Sequence, residues 1–306
     1  MTQQRIVPNI WCNGTAEEAG AFYAAAFENA RFEVEGRYPT EGLPDFQQRF
    51  AGQAVTVALT ISGTRFTLIN AGDEFHPNPS ISFMLNFDPL LFDGSEEQAR
   101  ASLDRLWARL SEGGTALMPL GEYPFSRHYG WIQDRYGVSW QLMLTDPAGD
   151  PRPFIIPALM FDGEAQDRAA EAADFYVSLF ADWPGGSEVG SRAPYGAPTG
   201  KASAEALAFG EFRIGEQWFM ASDNGSGVDH GFSCGVSLEV HCAGQAEIDR
   251  LWEALSAVPE AEACGWLADR FGVSWQIVPE NMGELMERPE AWQRLMGMKR
   301  IVIAEF

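Results

Sequence analysis

Apolar and polar positions alternate along this chain with two periods, and the period switches at regular places. The short apolar run from Ile6 to Cys12 predicts a strand. Thr15 and Glu18 then have the spacing of a capping box, and Ala19, Phe22, Tyr23 and Ala26 share one face of the helix it would open. Val55, Val57, Leu59 and Ile61 alternate with Thr56, Ala58 and Thr60, and Ser62-Gly63-Thr64 turns the chain into a further strand through Phe66 and Ile69. The same order then returns. A strand is predicted over Ile81–Phe87, followed by a helix capped by Ser95 and Gln98 and carrying Leu103, Leu106, Trp107 and Leu110. The Trp131 and Trp140 segments close it as a hairpin turning at Arg135-Tyr136-Gly137. Each pass reads β-α-β-β-β, which predicts an α+β chain with helices packed on one face of curved sheets.

The pattern is also written twice on a larger scale. Tyr129-Gly130-Trp131-Ile132-Gln133-Asp134-Arg135-Tyr136-Gly137-Val138-Ser139-Trp140-Gln141-Leu142 recurs as Cys264-Gly265-Trp266-Leu267-Ala268-Asp269-Arg270-Phe271-Gly272-Val273-Ser274-Trp275-Gln276-Ile277, at an offset of 135. Leu103 to Trp107 matches Ile248 to Trp252 at 145, and Phe22-Tyr23, Phe27, Ile61 and Phe66 match Phe175-Tyr176, Phe180, Ile214 and Phe219 at 153. The three sets are collinear, so the chain is a tandem duplication whose second copy has lost 8 and then 10 residues. The expected organisation is one domain over 1–146, a proline-rich linker over 147–153, and a second domain over 154–306 with a C-terminal tail. The two halves are expected to pair as an intramolecular pseudo-dimer, with a further homo-oligomer left open.

Composition narrows the partners. The 306 residues carry 43 acidic and 21 basic side chains, a net charge of −22. The excess is spread evenly: residues 1–150 hold 10 basic and 19 acidic groups, and residues 151–306 hold 11 and 24. Such a surface repels phosphate backbones and anionic lipid, so neither nucleic acid nor membrane is an expected partner. The four cysteines include no CxxC pair, the Met1-Thr2-Gln3-Gln4-Arg5 start has no apolar signal core behind it, and no apolar run reaches membrane-spanning length. The expected location is the cytoplasm.

The paired phrase Gly-Trp-x-x-Asp-Arg-aromatic-Gly-Val-Ser-Trp-Gln, placed on closing strands of β-α-β-β-β modules, resembles the PhnB-like branch of the vicinal oxygen chelate superfamily. This is the glyoxalase, bleomycin resistance and dioxygenase group, and the branch carries the label of a 3-demethylubiquinone-9 3-methyltransferase domain. The resemblance runs from about Arg5 to Thr145 and from about Phe154 to Phe306. It implies tandem glyoxalase/bleomycin-resistance-like domains, each built of two βαβββ modules. In metal-dependent members, four inward-facing strand positions present His, Glu or Gln to a divalent ion. Gln141 and Gln276 fall at the last such position, but Val7-Pro8-Asn9-Ile10, Phe66 to Asn70 and Ser80 to Phe83 offer no His or carboxylate. Ala158 to Met160, Phe219 to Asp223 and Ser233-Cys234-Gly235 are no richer in the second copy. No metal and no other cofactor are therefore expected, because amides alone are weak ligands. The methyltransferase label finds no Gly-x-Gly-x-Gly turn for a nucleotide cofactor.

Among the histidines, His76 and His230 read as loop residues, and His241 beside Cys242 lacks the further ligands of a zinc site. His128, entering the hairpin after Arg127, is the one general-base candidate. Trp107 and Trp252 share helix stripes with leucines, and Trp140 should pack beneath the helices if Gln141 faces the cleft. The expected ligand-lining residues are Trp11, Asn70, Tyr123, Phe125, Trp131 and Gln141, with Asp223, Trp266 and Gln276 in the second copy. Two functional readings stay open: a protein binding a small organic molecule in a metal-free cleft, and a metal-dependent isomerase, lyase or dioxygenase. The tail Met298 to Ile303 also alternates in a way that could add a strand to a partner protein.

Overall fold

The computed structural model describes residues 4–306, so the first three residues of the N-terminal segment lie outside the described residues. The first module comprises β1 (Ile6–Asn13), α1 (Ala16–Ala26), β2 (Ala30–Arg37), β3 (Ala54–Ile61) and β4 (Thr64–Ala71). The second comprises β5 (Ile81–Phe87), α2 (Glu96–Leu110), β6 (Thr115–Tyr123), β7 (Ser126–Gln133) and β8 (Ser139–Leu144). The third comprises β9 (Ile155–Phe161), α3 (Ala169–Leu179), β10 (Ser187–Pro194), β11 (Leu207–Ile214) and β12 (Gln217–Asp223). The fourth has β13 (Val236–Cys242), α4 (Gln245–Leu255), β14 (Trp266–Ala268) and β15 (Ser274–Pro279), then α5 (Met282–Met286) and α6 (Ala291–Gly297).

These strands make a mixed α+β structure of two sheets. The seven-stranded sheet has the order β14-β15-β13-β1-β4-β3-β2, and the eight-stranded sheet the order β10-β11-β12-β9-β5-β8-β7-β6. Each sheet joins one module of the first sequence copy to one of the second. The central seams are antiparallel, with Asn9 opposite Ser237 between β1 and β13, and Ser82 opposite Ala158 between β5 and β9. The ten residues missing from the second copy leave β14 three residues long and, among the described residues, without a partner strand like β6. The C-terminal tail fills that place. Cys264 N donates to Met298 O (2.8 Å) and Gly265 N to Lys299 O (2.7 Å), while Gln245 brackets Ile301 and Ile303. The strand-adding pattern of the tail is thus satisfied within the chain.

Strand alternation explains which face is buried. Phe66 and Leu68 of one sheet and Phe83 and Leu85 of the other are fully buried, and the Phe66 and Phe83 rings meet edge to face at 4.9 Å. The sheets therefore pack through these faces in one apolar core, leaving each sheet an opposite face free for a site. The expected capping box at Thr15 does not form. The α1 start is held instead by Asn70 on β4, whose Oδ1 accepts from Ala16 N at 3.2 Å. Ser95 does cap α2, accepting from Gln98 N.

The repeated motif is a structural tie. Asp134 is 4% exposed and accepts four hydrogen bonds: from Tyr136 N (2.8 Å) and Val138 N (3.1 Å) across its own turn, from Trp140 Nε1 (2.8 Å) and from Tyr23 OH (2.7 Å). Asp269 repeats this with Phe271 N, Val273 N, Trp275 Nε1 and Tyr176 OH (2.6 Å). In each copy the tyrosine comes from a helix on one sheet and the hairpin from the other, so both carboxylates bind the sheets together. The motif glycine also has a packing reason, since a Cβ on Gly130 would lie 2.5 Å from the Trp107 ring.

Tyr23→Phe removes one donor to a charged group and should cost about 1.5–3 kcal/mol, whereas Asp134→Ala strands four donors and should cost about 3 kcal/mol or more. Denaturant unfolding measures both, and equal small losses would contradict the assignment. At the end of β9, Asp162 accepts from Gly163 N (2.7 Å), His230 N (2.8 Å) and Asn224 Nδ2 (2.9 Å). Burial alone would raise its pKa, but these donors together with Lys201 hold it at about 2. A carboxyl held low contributes stability above its ordinary pKa, and that contribution is lost as pH falls from about 4 toward 2. Asp162→Asn should flatten the pH dependence of unfolding in that window; an unchanged slope would refute this.

Candidate functional site

Register shows that the free faces of the two sheets are built alike. In the eight-stranded sheet Met220 pairs with Ala158, Ala158 with Ser82, and Met84 with Gln141. In the seven-stranded sheet the same steps read Thr67 with Asn9, Asn9 with Ser237, and Glu239 with Gln276. The four central positions are therefore Met84, Gln141, Ala158 and Met220 in one cleft, and Glu239, Gln276, Asn9 and Thr67 in the other. Each set takes two strands from either copy of the sequence.

The eight-stranded cleft is apolar with a fixed amide. Met84, Tyr129, Ile156, Ala158 and Met220 form a separate buried cluster there, against which Trp131, Met143, Phe209 and Trp218 pack. Gln141, 6% exposed, is clamped: its Nε2 donates to Ser82 Oγ (2.8 Å) and its Oε1 accepts from Tyr129 OH (2.7 Å). Burial, with Tyr123 nearby, pushes the Tyr129 phenol well above its ordinary pKa, so it stays a neutral donor. A cavity of about 270 Å³ opens beside Met84, Met143 and Met220, extending toward Asn86 and the turn that joins β8 to β9. At its edge Arg152 stacks on Trp218 at 4.1 Å and pairs with Glu211 through two bonds of 3.0 and 3.1 Å.

The seven-stranded face is polar. Glu239 accepts from Asn9 Nδ2 at 3.0 Å and lies 2.5 Å from His241 Nε2, and Gln276 Nε2 donates to Ser237 Oγ at 2.9 Å. Trp11, anchored by Nε1 on Gly72 O, meets Trp266 edge to face at 6.0 Å and Phe75 at 5.1 Å. Among the described residues, no three His, Cys, Asp or Glu side chains converge as a divalent metal site would require.

The expected site residues divide between the two clefts and the core. Tyr123, Trp131 and Gln141 lie together in the eight-stranded cleft, with Tyr123 stacked at 5.6 Å on Phe125, which is 61% exposed at the rim. Trp11, Trp266 and Gln276 belong to the other sheet. Asn70 and Asp223 do not face a cleft. They share strand faces with Phe66 and Phe219, and each holds a helix start, Asp223 accepting from Ala169 N and Leu207 N. His128 also points away from the cleft, toward α2, where its Nε2 lies 2.6 Å from Asp104 Oδ1. It alternates with Tyr129, which faces the cleft, so the general-base candidate is misplaced for a ligand there. Burial raises the pKa of all four cysteines, to about 12 for Cys12 and Cys242, which leaves them as thiols.

Glu239 escapes the sequence reading because Ser233-Cys234-Gly235 is not the fifth strand of the second copy, and without Glu239 the neighbouring His241 has no partner in sequence. The strand begins at Val236, and Val236, Leu238, Val240 and Cys242 alternate into the core against Ser237, Glu239 and His241. Matching Ser82 to Ser237 would have exposed Glu239 as the counterpart of Met84.

Paired βαβββ modules with clefts at the seams of two mixed sheets define the vicinal oxygen chelate fold. The chain belongs, over residues 4–143 and 153–278, to the family described as 3-demethylubiquinone-9 3-methyltransferase, the PhnB-like branch of that superfamily. The PhnB protein from Bacillus cereus is 32% identical, with 46% of this chain covering 100% of that one at a TM-score of 0.38. Protein PA1353 from Pseudomonas aeruginosa is 23% identical over 46% of this chain and 98% of that one, at 0.37. Glyoxalase I from Zea mays covers 92% of this chain and 93% of its own with a TM-score of 0.50, and at 11% identity this likeness concerns the fold alone. No curated protein matches the chain.

Proposed function

We propose that this protein binds a small, largely apolar organic molecule in the cleft of its eight-stranded sheet, without a metal ion. The observation that carries this reading is the set Met84, Gln141, Ala158 and Met220 at the four central positions, beside a cavity of about 270 Å³. Thioethers adapt their shape to an apolar or aromatic body, and one oriented amide supplies direction. A divalent metal does not fit these residues, since hard cations need several oxygen or nitrogen donors and this cleft centre offers one amide. A metal-dependent isomerase, lyase or dioxygenase would have to use the other sheet, where both oxygens of Glu239 are already engaged by Asn9 and His241. The free cysteines support a reducing, cytoplasmic setting, and among the described residues no helix is long and apolar enough to cross a membrane. In this reading the two sequence copies supply in one chain what a pair of single-copy subunits would supply together.

Calorimetric titration with phenylbutanol tests the reading. Binding is expected for the native protein, and Met220→Trp, which fills the cavity, should weaken it about tenfold or more while unfolding stays cooperative. No heat with the native protein, or undiminished binding by Met220→Trp, would refute the site. Metal analysis of protein purified without chelators should give far less than one equivalent of Fe, Mn, Ni or Zn; a stoichiometric amount would overturn the metal-free assignment.

A further inference from the structure

Resting on that reading of the cleft, we infer that its ligand is a lipophilic cation: an apolar or aromatic body carrying a protonated amine. The cavity has two chemically distinct ends. Met84, Met143, Met220, Ile156 and Phe209 make the apolar end. The other end is bordered by Asp88, Asp146 and Asp150. Among the described residues the one cation at the cavity edge is Arg152, which pairs with Glu211 through two bonds, lies 3.9 Å from Asp150 and stacks on Trp218. With Glu211 included, four carboxylates line the cavity against this one guanidinium, which leaves three negative charges in excess, and the −22 net charge of the chain adds to them at long range.

A second feature points the same way. Asn86 lines the cavity between these ends and is 4% exposed. Its Nδ2 donates to Pro153 O at 2.8 Å, which fixes the amide orientation and directs Oδ1 elsewhere. Asn86 alternates with the core residues Leu85 and Phe87, so the side chain lies on the cleft face, and its Oδ1 accepts no hydrogen bond among the described residues. Thr145, also lining the cavity, has a buried Oγ1 without a partner. An acceptor left open on the cavity wall beside an acidic mouth suits an N–H donor carrying positive charge. A carboxylate ligand would meet the aspartates and the Asn86 carbonyl with the wrong sign.

Three probes with one skeleton separate this inference from the reading beneath it: phenylbutylamine, phenylbutanol and phenylbutyrate, titrated calorimetrically into the full chain. The amine is expected to bind about tenfold or more tighter than the alcohol, and the carboxylate weakest. Replacing both Asp88→Asn and Asp146→Asn should cut the amine's advantage several-fold and leave the alcohol unchanged. Raising salt from about 20 to about 500 mM should weaken only the amine. If amine and alcohol bind equally, or the carboxylate binds most tightly, the cationic assignment is wrong while the cleft assignment stands. If none of the three binds, both fall together.

Discussion

The arrangement rests on two buried carboxylates. Asp134 and Asp269 each accept four hydrogen bonds, two across a hairpin turn, one from an indole and one from a tyrosine on a helix belonging to the other sheet. A carboxylate so deep is costly to bury, and burial pushes both pKa values up against the pull of the donors. Such a group is tolerable only if every donor is held in place, which fixes the helix, the hairpin and the inter-sheet contact at once. The Gly-Trp-x-x-Asp-Arg-aromatic-Gly-Val-Ser-Trp-Gln phrase is thus foremost the sequence of this tie. Its final glutamine reaches the cleft because Trp140 and Trp275 are pulled the other way.

With the frame fixed twice over, the two clefts are free to differ. They share strand order, register and the serine–glutamine pair, Ser82 with Gln141 and Ser237 with Gln276. At the remaining central positions one cleft has Met84, Ala158 and Met220, the other Glu239, Asn9 and Thr67. Duplication inside one chain permits this divergence, whereas two identical subunits would carry the same substitution in both sites. The lost hairpin residues of the second copy and the tail that replaces them are part of the same asymmetry.

Much of the frame was legible in the sequence. Apolar runs, one period-two stretch and the Trp131–Trp140 hairpin located six of the first eight strands, and the repeat located the copies. What escaped was information held in strand parity and in the pairing of distant segments. Asn70 and Asp223 look like cleft residues until they are counted from Phe66 and Phe219, which places them on the buried face. His128 fails in the same way, one step out of phase with Tyr129 and Trp131. The composite nature of each cleft could not be read from either copy alone, since β5 meets β9 and β1 meets β13 only through tertiary pairing. That pairing makes Glu239 a neighbour of Asn9, 230 residues away.

The ten methionines make the central claim open to direct inspection. Methyl-labelled methionine spectra, assigned by single substitutions and recorded during titration with the phenylbutyl probes, report which part of the molecule a ligand touches. The account predicts that the Met84, Met143 and Met220 methyl signals shift together and saturably, while those of Met282, Met286 and Met296 stay in place. Shifts confined to Met296 and Met298, or saturation with no change at Met84, Met143 and Met220, would contradict it.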